Sequence, residues 1–240
     1  MPVALLVIWE LTARAAWVDA MFFPPPSEVL RAGARMWRLG ELPRHVTATL
    51  ERMLLGFFVG GGLGILAGII MGATVGLRRS VEPMVGFFYV LPKISLLPLL
   101  MLLFGVGETP RMLLICLAAF LTMVMQTMDA VLQIPKSYLE VARNCGAGGW
   151  LLLRRVYLPG ALPQVFTGLR QAFGRVLVAT ISVELVSCPE GVGSMIYMAW
   201  QTFSPEKLYL GIALIGTMGV AGNFAMRTAE ARLLPWRPAP

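Results

Sequence analysis

The sequence predicts an all-α, polytopic membrane protein of about six transmembrane helices, and three observations predict it. First, 57% of the 240 residues are hydrophobic and 14% are charged, with a mean hydropathy of +0.73. A soluble domain is roughly 45–50% apolar and about 25% charged, so this chain has too little polar surface to cover a globule in water. Second, the apolar residues gather into runs of about 20, the length a helix needs to cross a hydrocarbon core ~30 Å thick. Third, lysine and arginine collect in alternate loops, as they do when one side of a membrane retains them.

The first candidate span is Val3–Met21. It carries Glu10 and Arg14, four apart and so able to pair on one helix face. It is short and starts almost at Met1, as a first helix trimmed at its start would. Pro24, Pro25 and Pro26 stop it, because consecutive prolines cannot continue a helix. Residues 27–52 are amphipathic, with Arg31, Arg35, Arg38, Arg44 and Arg52, and read as an interfacial helix leading into the second span. The remaining spans are expected at about Met53–Leu77, Met84–Gly105, Met112–Val131, Leu169–Val186 and Leu208–Met226. A polar, basic stretch at about 133–164 separates the fourth from the fifth, and a linker with a short amphipathic piece, 189–205, precedes the sixth. Residues 1–50 thus form the first helix and the interfacial helix, and 51–240 the transmembrane domain proper.

A net charge of +7 on a soluble protein would suggest nucleic acid. No aromatic–basic interleaving on a polar surface is present, and nucleic acid is excluded. If six helices alternate, Arg78 and Arg79, then Lys136, Arg143, Arg154 and Arg155, then Arg227, Arg232 and Arg237 all fall on one side, which is therefore cytoplasmic. The arginine-rich segment 27–52 dissents, since it falls outside. Cys116, Cys145 and Cys188 form no CxxC pair, and the single His45 completes no zinc set, so no metal site is expected and the thiols are free. Met1–Val18 lacks the basic start and A-x-A exit of a cleavable signal. No nucleophile–base pair or metal cluster is available for a membrane enzyme, and no catalytic residue is assigned.

Glycine occupies positions 56, 60, 64, 68, 72 and 76. Every fourth residue falls on nearly one helix face, so Gly56, Gly60, Gly64, Gly68, Gly72 and Gly76 form a stripe that another backbone can approach closely, within the subunit or across a dimer. In the third span Pro92 and Pro98 free backbone carbonyls at membrane depth, and these must meet protein or water. Lys93 between them either lines a pathway or snorkels to an interface. Glu184, late in the fifth span, is either a gate or pathway residue or close enough to the outer interface to stay hydrated. Arg170 and Arg175 begin the same span and either snorkel inward, the simpler reading, or attract an anion.

The stretch between spans four and five is too polar to span and too patterned to be a spacer. A helix is expected from about Ser137 to Cys145, stopped by Gly146, with a turn through Gly148 and Gly149. Such a helix at the membrane surface can dock in a partner's groove. Glu140-Val141-Ala142, three residues, Gly146, nine residues and Val156-Tyr157-Leu158-Pro159 resemble the EAA motif of ABC-importer permeases, with Val141 for Ala and Val156 for Ile as departures. Leu91-Pro92-Lys93 through Pro98, Phe104-Gly105-Val106-Gly107-Glu108, Trp9-Glu10-Leu11, Phe23-Pro24 to Val29, and Glu184 with Gly191-Val192-Gly193 resemble the nitrate/sulfonate/taurine/bicarbonate branch, so the match covers nearly the whole chain.

The resemblance implies the type I ABC importer (MetI-like) permease fold in a bacterial inner membrane. It implies that Glu140, Val141, Ala142, Arg143, Gly146, Leu158 and Pro159 belong to a cytoplasmic coupling helix and its return, docked on a separate ATPase subunit. Two permeases, a homodimer where one kind of permease serves, would work with two ATPases and a periplasmic or lipid-anchored substrate-binding protein. ATP and Mg would be held by the partner ATPase. The chain itself has no G-x-x-x-x-G-K-[ST] to cradle phosphates, hence no cofactor of its own and no enzymatic activity. The cargo expected is a small solute such as nitrate, a sulfonate, taurine or a related organic anion. A secondary transporter or channel is the alternative. It would place coupling carboxylates or broken helices at the midplane of related halves, and no internal repeat is present.

Overall fold

A computed structural model describes residues 2–15, 19 and 21–234. The described residues are helical, with no strand. The helices are α1 (Pro2–Arg14), α2 (Pro26–Arg38), α3 (Glu41–Ala73), α4 (Val75–Val90), α5 (Leu97–Phe104), α6 (Glu108–Leu132), α7 (Lys136–Asn144), α8 (Gly149–Leu152), α9 (Leu158–Ser187), α10 (Val192–Gln201) and α11 (Pro205–Leu233). A 3-10 turn, Lys93–Leu96, joins α4 to α5, and a π-helical turn, Leu153–Tyr157, joins α8 to α9. Three helices, α3, α6 and α11, are each long and apolar enough to cross a membrane, and two bent helix pairs raise the number to five. The expected first span is represented by α1, whose 13 residues extend only about 20 Å and fall short of the hydrocarbon thickness. Residues 16–18 and 20 of that expected span, and Arg237 of the basic tail, lie outside the described residues.

The chain divides into two compact units, Met1–Arg52 with Thr180–Val220, and Met53–Ala179 with Ala221–Pro240. In the first, α2 begins on proline, whose missing N–H costs nothing at a helix start. It buries Val29, Ala32, Gly33 and Met36, an i, i+3, i+4, i+7 stripe, and leaves Arg31, Arg35 and Arg38 exposed on the other face. Gly33 receives the Leu210 side chain of α11. Glu10 and Arg14 pair at 2.6 Å as their spacing predicts, and Ser27 donates to the same carboxylate from N–H at 2.9 Å and from Oγ at 2.8 Å. Residues 27–52 divide into the amphipathic α2 and the first turns of α3. Gly40, at φ +76°, ends the amphipathic piece, and α3 starts at Glu41, twelve residues ahead of the expected span.

In the second unit the glycine stripe of α3 lies on α6. A Cβ at Gly56 would enter the Ile115 side chain, and one at Gly60 would enter the Cys116 carbonyl. At Gly64, Gly68 and Gly72 it would stand 2.6 Å from Phe120 O, 2.7 Å from Val124 O and 2.6 Å from Val131 Cβ. Two apolar helices in lipid gain no hydrophobic drive from pairing, so this backbone-to-backbone approach supplies the van der Waals contact that holds them. Gly76 departs from the expectation. Thr74 is extended (φ −119°, ψ 100°) and ends α3, so Gly76 belongs to α4 and nothing lies within 4 Å of its would-be Cβ. Met71, Val85, Leu121, Val124 and Met128 make a buried cluster beside the stripe.

The expected third span is two helices set 96° apart. Leu91 precedes a proline and is forced extended (ψ 136°), and Pro92 brings no N–H to continue the ladder. The helix that carries the expected fifth span is longer than that span, because α9 begins at Leu158 rather than Leu169.

Candidate functional site

Three groups of sequence-selected residues can be located. The first is the polar stretch at about 133–164. Helix α7 carries Glu140, Val141, Ala142 and Arg143 and buries none of its residues. It closes in a Schellman arrangement: Gly146 N–H donates to Arg143 O at 2.9 Å and Ala147 N–H to Ala142 O at 2.9 Å, with Gly146 at φ +81°. Only a glycine adopts that conformation without strain, which accounts for its place in the pattern. Gly148 and Gly149 turn the chain into α8. The π turn then widens the register just before Pro159, whose ring crowds the carbonyl four residues back and whose missing N–H leaves it without a donor. Leu158 and Pro159 open α9. Tyr138, Val141 and Trp150 are 64%, 63% and 71% exposed, an apolar set standing out of a polar segment.

The second group surrounds the break in the third span. Pro92 and Pro98 are exposed and flank the 3-10 turn. Lys93 does not reach outward: its ammonium donates to the carbonyl of Tyr89, one of those stranded at the end of α4, and lies 5.2 Å from the Tyr89 ring centroid. Arg175 of α9 sits 4.7 Å from the same centroid. Arg170 pairs with Glu230 of α11 at 3.3 Å. With α9 starting at Leu158, both arginines lie well inside the helix rather than at its beginning.

The third group is Glu184, which is 1% exposed and fully paired. Arg52 Nη1 donates to its Oε1 at 3.0 Å, and Thr49 Oγ1 and Gly193 N–H donate to its Oε2 at 2.9 and 3.0 Å. Thr49 Oγ1 in turn accepts from Val192 N–H at 2.8 Å, and Arg52 donates to Glu190 O at 2.7 Å. His45 Nδ1 lies 3.1 Å from Gly191 N and 3.0 Å from Gly191 O, so the ring pairs with this residue's backbone in either tautomer. The carboxylate is thus wrapped by the 188–193 turn rather than held in water. Just outside it Arg44 pairs with Glu190, and the guanidinium keeps that carboxyl below the ordinary carboxylate range. Glu184 belongs to the first unit, Pro92, Lys93 and Pro98 to the second.

Sequence reasoning missed the partners. Thr49 and Arg52 are three apart and share a face of α3, a spacing that marks a polar pair turned to one neighbour. Tyr89, four before Lys93, was visible only once the helix was known to break between them.

These features have counterparts among known proteins. A family model described as "Binding-protein-dependent transport system inner membrane component" matches residues 60–235. The chain is 32% identical to the taurine transport system permease protein TauC of Escherichia coli (strain K12), over 97% of this chain and 86% of that protein. It is 29% identical to the putative aliphatic sulfonates transport permease protein SsuC of Bacillus subtilis (strain 168), over 99% of this chain and 86% of that protein. The fold matches a chain of the inward-facing MetNI methionine ABC transporter with a TM-score of 0.66 at 22% identity, covering 80% of this chain and 97% of that one. The secondary-transporter alternative therefore falls. The chain belongs to the family of binding-protein-dependent transport system inner membrane components, as an ABC-importer permease of the sulfonate/taurine branch with the MetI-like fold.

Proposed function

We propose that this permease conducts a small sulfonate, such as taurine or an alkanesulfonate anion, across a bacterial inner membrane, and that a separate ATPase drives it by gripping α7 and the turn behind it. One observation carries the reading: a solvated helix that buries none of its residues and leaves Tyr138 and Val141 exposed, with Trp150 exposed just after it in the chain. A membrane protein leaves such side chains bare where a partner covers them. The motif spacing from Glu140 to Pro159 falls on this helix, its glycine stop and the start of α9. Because α9 continues from the docking segment into the apolar part of the chain, a push on α7 is passed on through a rigid rod.

In this reading residues 51–240 are the transport domain, and residues 1–50 flank it. The docking segment and the C-terminus face the cytoplasm, which holds ATP. A substrate-binding protein, periplasmic or lipid-anchored, delivers the sulfonate on the other side, and a second copy of the chain completes the pathway. ATP and Mg stay with the ATPase. The cargo class follows the relatives named for taurine and aliphatic sulfonates.

Gly146→Val tests the docking. The β-branched side chain cannot hold φ +81°, so α7 loses its stop and its exposed face turns away. The variant is expected to insert in the membrane at wild-type level, to lose the ATPase on co-purification, and to lose uptake of labelled taurine. Full uptake by the variant would contradict coupling through this segment.

A further inference from the structure

Helix α4 carries its last charge, Glu82, seven residues before Tyr89. At ~1.5 Å per residue Tyr89 lies about 10 Å further along α4 than that charge, in the apolar part of a bent helix pair long and apolar enough to count as one span. The chain leaves helical geometry two residues later, at Leu91–Pro92. Non-helical backbone at membrane depth survives only where protein covers it or water reaches it. Pro92 and Ser95 are exposed in the protomer, so the break faces a partner or a wet path rather than the packed interior.

Two cations meet at this break. Lys93 uses one of its three ammonium donors on the Tyr89 carbonyl. Arg175 approaches the same ring from α9 and is exposed on its other side. Among the described residues neither has a carboxylate partner, whereas Arg14, Arg44, Arg52, Arg78, Arg111 and Arg170 each do. From Arg175 the helix runs uncharged to Glu184, which is already committed to Arg52. A ring face attracts a cation but carries no net charge, so two positive charges remain unbalanced at a depth where charge is costly. Among the described residues no carboxylate balances them, which points to a group from outside the protomer.

We propose that Tyr89, Lys93 and Arg175 form an anion station within the membrane-spanning part of the chain, which takes the singly charged oxyanion head of a small sulfonate or carboxylate in transit. The guanidinium offers a planar fork to two oxygens, and the ammonium adds a point charge with two free donors. The Tyr89 ring holds both cations in place while the station is empty. Arg175 and Lys93 sit on different helices, so the anion bridges α9 to the break and its grip changes as those elements move. The proposal rests on the permease reading and adds the residues by which the chain itself senses the charge of its cargo.

The test uses the chain with its ATPase in nanodiscs, and saturation-transfer NMR with ethanesulfonate, propionate and the neutral ethanesulfonamide. Wild type is expected to bind at least one of the two anions and to ignore the amide. Lys93→Met and Arg175→Met should each weaken anion binding about tenfold or more, and Arg175→Lys should keep part of it. Binding of propionate alone, lost in both methionine variants, would uphold the station while overturning the sulfonate cargo. Equal binding of anion and amide, or anion binding unchanged in both methionine variants, would overturn the station. So would an Arg175→Met variant that binds anion normally but separates the two permease copies, because the missing counter-charge would then be a carboxylate of the second copy.

Discussion

The carboxylate of Glu184 fills the space that any side chain on residue 191 would need. A Cβ built at Gly191 lands on the carboxylate carbon and both its oxygens, and Gly191 itself sits at φ +134°. Gly193 is bound to the same group: its N–H donates to Oε2, and a Cβ there would stand 2.7 Å from Glu184 Cβ. The two glycines and the buried acid are therefore one device. Gly191→Ala should cost about 3 kcal/mol, through steric overlap and a backbone conformation that alanine resists. Thermal unfolding in detergent reads the loss, and a melting temperature equal to wild type would show that the turn does not wrap the acid.

Glu184→Gln asks whether the charge or the shape matters. Glutamine still accepts from Thr49 and Gly193 but leaves Arg52, whose side chain is 11% exposed, without its counter-charge. Breaking a buried pair on one side costs about 3–5 kcal/mol. The expected result is a destabilised permease, with cargo selectivity unchanged in whatever fraction stays folded. Altered selectivity at wild-type stability would return Glu184 to the transport path.

Gly60 and Gly76 are equivalent in the sequence pattern and opposite in the structure. Gly60→Ala pushes a methyl into the backbone of Cys116, which cannot rotate away, and should cost about 2–3 kcal/mol. Gly76→Ala meets open space and should change stability by less than about 0.5 kcal/mol. Denaturation of the two variants side by side separates a five-glycine contact from a six-glycine one.

That pair also marks how far the sequence could be read. Helicity, the long apolar helices and the glycine stop of α7 were legible, because hydropathy and the Glu-x-Ala-x₃-Gly spacing are local signals. The end of α3 at Thr74 was not, since threonine in an apolar run carries no stop signal and the glycine register continues past it. The start of α9 at Leu158 was hidden because its first turns are polar, and hydropathy finds only the lipid-facing part of a helix. The partners of Glu184 were hidden for another reason: Thr49 lies 135 residues away, and no periodicity reports a contact of that range.

Glu190 gives a pH signature. Its hydrogen bond from Arg44, and the charge behind it, hold the folded-state pKa below the unfolded value. Stability from this pair is therefore present above the unfolded glutamate pKa, about 4.3, and is lost as the pH falls through the folded value. Melting temperatures taken from pH 6 down to 3 should fall more steeply for wild type than for Arg44→Ala. The gap should be small, because the pair is largely solvated. Parallel curves would show that the ion pair does not form.

The orientation of α7 decides whether a motor can reach it. Cys145 is exposed at the end of α7, and the structure offers it as a single reporter once Cys116 and Cys188 are replaced by alanine. A membrane-impermeant maleimide applied to sealed right-side-out vesicles is expected to leave Cys145 unmodified. Applied to inside-out vesicles it should label the residue fully, and prior binding of the ATPase should block the reaction. Labelling from the outside, or labelling on the inside that the ATPase fails to block, would contradict the coupling mechanism.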